Sequence, residues 1–272
     1  MVRALTVGSV TAMHCSAPPH PDVADPLRSA GAALLGAIRA GGLLSHADIA
    51  APATLDDAYA IQNAIVAGAG PVGGWKVAPL REGGEPRCSP LPHLLFAASP
   101  ARFNAGFLAT CRAEVEIAIC LGADLVPRQE ALSMAQVTAA IATIHPAIEL
   151  LSSRFSEADT APDLSRLADL QSCAGVVIGA GRTDWHEIAL SDLSIEIALD
   201  TELRQASLPK PSLERTLAAI GWLAVHASKR GLHLKRGDIV MTGARLGPLA
   251  LASIRKAIAH IEALGETTIC VC

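Results

Sequence analysis

RAEVEIAICLG, residues 112–122, is an apolar stretch that carries two glutamates, Glu114 and Glu116. Its β-branched residues predict a strand. Residues two apart in a strand point to the same face, so both carboxylates share one side with Ala118 and Cys120, and apolar residues fill the other side. Both faces look buried apart from the glutamates. The charges on this strand therefore need a partner, because burial of an unpaired carboxylate is costly.

Two explanations of the glutamate pair remain open from this motif alone. Carboxylates about 6 to 7 Å apart along a strand repel each other in an apolar setting. A divalent cation between them would remove that repulsion, and oxygen-only ligation suits Mg²⁺, Mn²⁺ or Ca²⁺. The alternative is a solvated strand end with two surface charges.

The composition limits the class of protein. The chain has 272 residues, of which 51% are hydrophobic, and a net charge of -4. These values argue against disorder and against a basic surface for nucleic acid. No apolar run reaches the roughly 18 to 20 residues that a membrane span needs. We therefore expect a globular, enzyme-sized protein that binds neither nucleic acid nor membrane.

The leader and the cysteines bear on the cellular compartment. Residues 1–24 are predicted to be a disordered leader; a weak export signal is the alternative, but His14 and several small polar residues interrupt its apolar run. The chain's 7 cysteines include no Cys-x-x-Cys pair, which suits neither a disulfide framework nor a zinc site. Reduced thiols in the cytoplasm fit best, with Cys120, Cys173 and Cys270 as small core residues.

Two further parts follow the leader. Residues 25–70 are predicted to form a helical N-terminal segment, with one helix ending at Gly41 and a second beginning at Thr54. Residues 71–272 have short β-rich runs and form the main domain of a mixed α/β (α+β) fold. The predicted strands are residues 73–78, 113–121, 146–151, 173–179, 193–200 and 237–242.

Helical patterns interrupt the β-rich part. Helices are predicted over residues 133–145 and 212–231, each begun by a capping serine. Residues 251–265 read as a helix by propensity, yet residues 258–263 and 267–272 also fit the two strands of a hairpin.

Four other residues could complete a site with the glutamate pair. Glu149 lies in an apolar strand-like run and offers a third carboxylate; alternatively it pairs with Arg154. Lys76 is a single cation in GGWKVA, where two glycines permit close backbone approach; a snorkelling lysine is the alternative. Thr242 and Gly243, in a Gly-rich loop, could offer hydroxyl and backbone donors to an anion, although a plain β-turn also explains them.

Six motifs in collinear order give these residues a common interpretation. They are GGWKVA, LLFA, AEVEIAICLG, PAIELLSSRF, ADLQSCAGVVIG and GDIVMTGARLGP. From about Leu55 to the C-terminus the chain resembles the 2-keto-4-pentenoate hydratase branch of the fumarylacetoacetate hydrolase superfamily. The resemblance implies a β-rich body with a helical N-terminal part. It also implies a C-terminal β-hairpin, which favours the hairpin over the helix at residues 251–265.

The resemblance also implies metal ligands, an active-site lysine and residues that contact the substrate or shape its pocket. By motif match these are Glu114, Glu116 and Glu149 for Mg²⁺ or Mn²⁺; Lys76; and Ser172, Thr242 and Gly243. We expect burial and the nearby ion to lower the pKa of Lys76.

The same resemblance implies the substrates and partners. Relatives of this branch add water to 2-hydroxypenta-2,4-dienoate in aromatic catabolism or decarboxylate 2-oxohex-3-enedioate. The expected partners are a small 2-oxo acid or 2-hydroxydienoate and further copies of the chain in a homo-oligomer.

Three departures from the family's motifs alter the surroundings of the substrate but keep the metal ligands. KVAPL replaces Lys-(Val/Ile)-Gly-Leu-Thr, PLPHL with His93 replaces a stretch with an acidic residue and glycine, and Leu170 replaces the usual Asn. His93 is either a replacement polar group or a loop histidine. Three hypotheses follow: a metal-dependent hydratase of 2-hydroxydienoates, a 2-oxo acid decarboxylase of the same fold, and a noncatalytic paralogue acting as a binding subunit.

Overall fold

The structure is a computed structural model that describes residues 25–78, 86–127, 132–206 and 211–272. The leader predicted at residues 1–24 lies outside the described residues. The helices are α1 (Pro26–Ala40), α2 (Leu55–Ala69), α3 (Ala105–Thr110), α4 (Met134–Ala139), α5 (Asp163–Ala168) and α6 (Leu213–Lys229). The strands are β1 (Val72–Val77), β2 (Cys88–Pro92), β3 (Phe96–Ala98), β4 (Ala101–Phe103), β5 (Arg112–Leu121), β6 (Ile141–Leu151), β7 (Cys173–Ile178), β8 (Ile195–Leu199), β9 (Glu202–Gln205), β10 (Ile239–Ala250), β11 (Lys256–Ile261) and β12 (Gly265–Val271).

The helix boundaries follow the predicted capping signals. α1 ends where Gly41 adopts the left-handed conformation, and Thr54 with Asp57 forms a capping box at the start of α2. α6 begins after Ser212, whose side chain accepts from the backbone of Arg215. None of the described helices is both long and apolar enough to cross a membrane.

One helix prediction was wrong and one ambiguity is resolved. The helix predicted over residues 133–145 begins with the expected serine cap but ends at Ala139, and Ile141 starts a long strand. The β-branched residues of this strand, β6, pair with β5, and this tertiary pairing overrides the local helical pattern. At the C-terminus, β11 and β12 form an antiparallel hairpin, which confirms the hairpin over the helix.

The strands form two sheets. The larger sheet has the order β2-β1-β10-β5-β6-β7-β3, and the smaller has the order β4-β12-β11-β8-β9. The sheets contact each other where Thr267 of β12 donates its hydroxyl to the Pro146 carbonyl of β6 at 2.7 Å. The larger sheet contributes Trp75, Ile148 and Leu150, all fully buried, to the hydrophobic core.

The larger sheet is strongly curled. Although β1 and β3 are far apart in the strand order, a Cβ added at Gly74 of β1 would lie 2.7 Å from the Phe96 ring of β3. The same Cβ would lie 2.2 Å from the backbone oxygen of Ile239. Only glycine fits at this position, which confirms the close backbone approach predicted from the two glycines of GGWKVA. The curl gives the sheet an inner face on which residues of distant strands can meet.

Candidate active site

The three predicted glutamates come together on the inner face of the curled sheet. β5 and β6 pair with Glu114 directly opposite Glu149, and Glu116 lies two residues further along the same face. One carboxylate oxygen from each residue lies within 4.8 Å of the others. Glu116 and Glu149 are buried and Glu114 is partly buried. The solvated strand end is therefore the wrong explanation of the pair.

Lys76 reaches this cluster across the interior of the sheet. In a flat sheet, strands β1 and β6 would lie about 14 Å apart, yet Lys76 Nζ lies 2.9 Å from Glu149 Oε1. The curl removes that separation. The Lys76 side chain is 13% exposed, so it points to the carboxylates, and the snorkelling alternative does not hold.

Three oxygens of the two buried carboxylates lack a hydrogen-bond donor in the part of the chain that the structure describes. Within the described residues, Glu116 Oε1 and both oxygens of Glu149 accept no hydrogen bond of normal geometry, although Glu149 has the charge of Lys76 beside it. Burial, followed by the charge of Glu149, raises the pKa of Glu116 well above its usual value. Burial also raises the pKa of Glu114. Without a metal ion, the carboxyl groups of Glu114 and Glu116 therefore hold their protons more firmly than usual.

The pKa of Lys76 was expected to fall through burial and a nearby metal ion, and the protein without the ion shows the effect of burial together with that of the carboxylates. Burial lowers the pKa of Lys76, but the carboxylates of Glu149, Glu116 and Glu114 raise it more, and the net result is a raised pKa. Without a bound cation, Lys76 is therefore an ammonium and a proton donor. A dication among the same carboxylates would oppose this effect.

Thr242 and Gly243 of β10 lie beside Glu116 of β5. Gly243 adopts a left-handed conformation, with φ of 90°, and its N–H donates to Glu116 Oε2 at 2.7 Å. The Thr242 hydroxyl donates to the Ile117 carbonyl at 2.7 Å. Both hydrogens are thus directed to the protein: the Gly243 N–H orients Glu116, and the Thr242 hydroxyl links β10 to the backbone of β5. Substrate contact by either residue stays a prediction.

Arg245 is a buried cation near this loop that the sequence interpretation missed. Its guanidinium donates to the Thr242 carbonyl at 3.0 Å and to the Gly243 carbonyl, which holds the loop turned toward Glu116. The signal in the sequence was a charged residue inside a Gly-rich apolar loop.

Ser172 belongs to a turn held by a second buried ion pair. Arg154 pairs with Asp169, not with Glu149, so the alternative partner suggested for Glu149 is wrong. Arg154 also donates to the Cys173 carbonyl at 2.6 Å, and Ser172 N–H donates to the Asp169 carbonyl at 2.8 Å. Among the described residues, the Ser172 hydroxyl has no hydrogen-bond partner, and its contact with a substrate stays a prediction.

Removal of the Asp169 charge is expected to destabilise the fold. Asp169→Asn leaves the buried guanidinium of Arg154 without its counter-charge, which costs about 3 to 5 kcal/mol in the free energy of unfolding. Urea denaturation would measure this loss. The control is Asp163→Asn, which breaks an exposed Asp–Arg pair and is expected to cost at most about 1 kcal/mol. Equal small effects of the two variants would contradict the structural role of the Asp169 pair.

Other sequence candidates lie at the edge of the site or outside it. Cys173 is buried against Glu149, and burial followed by that charge raises its pKa well above its usual value, as expected of a core thiol. His93 is exposed in a short 3-10 turn, in agreement with a loop histidine. Pro79 and Leu80 of KVAPL lie outside the described residues. A cavity between α1 and α3 has none of the three glutamates or Lys76 among its lining residues.

Comparisons with known proteins agree with the resemblance. Residues 98–271 match the family model of the fumarylacetoacetate (FAA) hydrolase C-terminal domain. The 2-keto-4-pentenoate hydratase of Burkholderia vietnamiensis strain G4 is 32% identical over 156 residues, which are 57% of this chain and 58% of that protein. The 2-hydroxyhexa-2,4-dienoate hydratase of Comamonas testosteroni is 28% identical over 147 residues, 52% of each chain. The chain thus spans less than two thirds of the length of these curated relatives.

Solved structures show the same fold. The 4-oxalocrotonate decarboxylase from Pseudomonas putida G7, complexed with magnesium and adipate, has a TM-score of 0.74 at 18% identity. The match covers 90% of this chain and 97% of that chain. At this identity the likeness concerns the fold alone.

Proposed function

Because the chain belongs to the fumarylacetoacetate hydrolase family, we propose that it is a divalent-metal-dependent hydratase of 2-hydroxypenta-2,4-dienoate-type substrates. One observation carries the proposal: three clustered carboxylates, two of them fully buried with oxygens that accept no hydrogen bond from the described residues, lie beside Lys76 inside a curled sheet. The names of the curated relatives support the reaction class.

The residues of the cluster fit a divalent ion. Once ionised, three carboxylates against one ammonium leave two negative charges in a buried site, and within the described ranges Glu116 Oε1 and Glu149 Oε2 have no partner that a metal ion would have to displace. Oxygen donors suit Mg²⁺ or Mn²⁺. Glu114, Glu116 and Glu149 would hold the ion, which would act as a Lewis acid toward the carboxylate and 2-oxygen of a substrate.

The protein's own residues would position the substrate and move protons. Lys76, an ammonium beside Glu149, would stabilise negative charge on the substrate. As the dienol becomes an enone, it would give a proton to the terminal carbon and be reprotonated as the 2-hydroxyl proton is released. Water can then add to the polarised double bond. The N–H of Gly243 would keep Glu116 oriented throughout, and Ser172 would contact the substrate from the turn before β7.

Product analysis tests the proposed reaction. A panel of 2-hydroxydienoates and unsaturated 2-oxo diacids, assayed with EDTA and with Mg²⁺ or Mn²⁺ restored, should yield the hydroxy-oxo acid only when metal is present. Release of CO₂ instead would assign the decarboxylase reaction and overturn the hydratase proposal. Binding of metal and substrate without turnover would assign a noncatalytic binding subunit.

Metal binding should depend on pH. Glu114 and Glu116 have raised pKa values in the folded protein, so their protonation stabilises the fold below the ordinary glutamate pKa of about 4.3. This contribution is lost as the pH rises through the raised values. Protons and metal compete for the same oxygens. The rise in melting temperature caused by Mn²⁺ should therefore be larger at about pH 8 than at about pH 5, and a shift independent of pH would contradict proton competition.

Cytoplasmic localisation and assembly into a homo-oligomer stay predictions from the sequence. Size-exclusion chromatography with light scattering would measure the oligomeric state directly.

A further inference from the structure

A chain of hydrogen bonds, here called the relay, runs from Arg230, the residue that follows α6, to the turn before β7. Arg230 Nη2 donates to Gln62 Oε1 at 3.2 Å, and Gln62 Nε2 donates to Ser89 Oγ at 3.0 Å. The Ser89 hydroxyl then donates to Gln171 Oε1, also at 3.0 Å. Gln62 and Ser89 are fully buried. The relay ends at Gln171, which is half-buried in the turn that also holds Ser172.

The direction of every hydrogen bond in the relay is fixed by its ends. A guanidinium can only donate, so the Arg230 end requires the oxygen of the Gln62 amide. The Gln62 nitrogen faces the carbonyls of Cys88 and Leu167, at 3.2 and 2.7 Å, which can only accept. Because an amide nitrogen cannot accept a hydrogen bond, the Ser89 hydroxyl cannot donate to Gln62 and donates instead to the oxygen of Gln171. As a result, Gln171 presents its Nε2 group as a donor.

Gln171 Nε2 has no acceptor among the residues that the structure describes. The turn that holds it consists of three consecutive left-handed non-glycine residues, Leu170, Gln171 and Ser172, with φ of 50°, 53° and 61°. Such conformations are costly for residues with a Cβ and occur often at functional sites. The strained turn and the relay together hold the amide in one orientation.

The Gln171 amide lies next to the inner face of the curled sheet. Ser89 pairs directly with Lys76 across β1 and β2, so both side chains emerge on the same face. Gln171 also lies two residues before Cys173, which is buried against Glu149. In the strand order, β5 with Glu114 and Glu116 is central, while Ser89 of β2 lies at an edge. Through its hydrogen bond to Ser89, Gln171 is placed at the β2 edge of the face that carries Lys76.

We propose that Gln171 Nε2 binds an oxygen at the far end of the substrate, so that the site prefers 2-oxo acids with a second carboxylate over those with an apolar tail. The inference rests on the proposed function for the placement of the 2-oxo acid end. It shifts the preferred substrate from 2-hydroxypenta-2,4-dienoate itself, whose far end is a hydrocarbon, to longer 2-hydroxydienoates whose far end carries a carboxylate. Gln171 is then a residue that determines specificity and does not take part in the chemistry.

Two saturated ligands of equal chain length test this preference without turnover. They are 2-oxohexanedioate and 2-oxohexanoate, titrated calorimetrically into the Mg²⁺-loaded protein. The wild type should bind the diacid about 10- to 100-fold more tightly, the range expected for a hydrogen bond to a charged group. Gln171→Met should remove this difference and leave the affinity for 2-oxohexanoate unchanged. Gln171→Glu should lower the affinity for the diacid further, because it places a second carboxylate against the carboxylate of the ligand.

The control is Gln205→Met, which makes the same change at an exposed position of β9 and should leave both affinities unchanged. Ser89→Ala should reduce the preference for the diacid, because it frees the Gln171 amide to turn. Equal binding of the two ligands by the wild type, or equal weakening of both by Gln171→Met, would overturn the inference, as would absence of binding. If the product assay shows turnover but the wild type binds the two ligands equally, only the role of Gln171 is overturned. If the wild type prefers the diacid but shows no turnover, only the hydratase proposal is overturned.

Discussion

Lys76→Met is expected to lower kcat by about 10²- to 10⁴-fold, the usual contribution of a positioned proton donor. Methionine keeps much of the length of the lysine stem but removes the ammonium that lies 2.9 Å from Glu149. Metal binding should survive this change, because the three carboxylates remain and a competing positive charge is gone. Steady-state kinetics together with Mn²⁺-dependent thermal shifts would measure the two effects separately.

Without metal, Lys76→Met is expected to destabilise the protein. Glu149 would be buried without a counter-charge, so the unfolding free energy should fall by up to about 3 to 5 kcal/mol, and added Mn²⁺ should restore it. Lys256→Met, at an exposed strand lysine, serves as the control and should change neither quantity. Full activity of Lys76→Met, or loss of activity that merely follows loss of metal, would contradict the role proposed for the ammonium.

Glu116→Gln is expected to abolish stabilisation by metal. Glutamine keeps the shape of the side chain but removes the charge of a fully buried ligand. Metal at 100 times the dissociation constant stabilises the wild type by about 2.7 kcal/mol, and a 100-fold loss of metal affinity would leave only about 0.4 kcal/mol of this stabilisation. Turnover should be lost in parallel. Differential scanning fluorimetry with EDTA and with Mn²⁺ would measure the loss of stabilisation.

The metal-free form of Glu116→Gln distinguishes a ligand from a merely structural residue. Without metal, the variant should be at least as stable as the wild type, because an amide carries no buried charge. Glu266→Gln makes the same chemical change at an exposed position of β12 and should retain the full response to metal. An undiminished thermal shift in Glu116→Gln would remove Glu116 from the set of ligands.

Much of this site could be predicted from the sequence, because strand periodicity and capping chemistry are local. The alternation in β5 placed Glu114 and Glu116 on one face, and the serine and threonine caps marked where helices begin. Glu149 was a candidate from its apolar surroundings. The resemblance in motif order joined it to the pair.

The remaining features depend on tertiary structure that no local pattern contains. The meeting of Lys76 with Glu149 needs the curl of the sheet, since their strands are not neighbours. The pairing of Arg154 with Asp169 likewise depends on how the turn before β7 folds back. The extension of β6 back to Ile141 was missed because pairing with β5 outweighs local helical propensity.

The central claim is that Glu114, Glu116 and Glu149 form a divalent-metal site in front of Lys76. Anomalous diffraction from crystals grown with Mn²⁺ tests it most directly. We expect one strong peak among the oxygens of the three carboxylates, absent from crystals of Glu116→Gln. A peak only elsewhere in the molecule, or no peak with Lys76 still paired to Glu149, would contradict the claim.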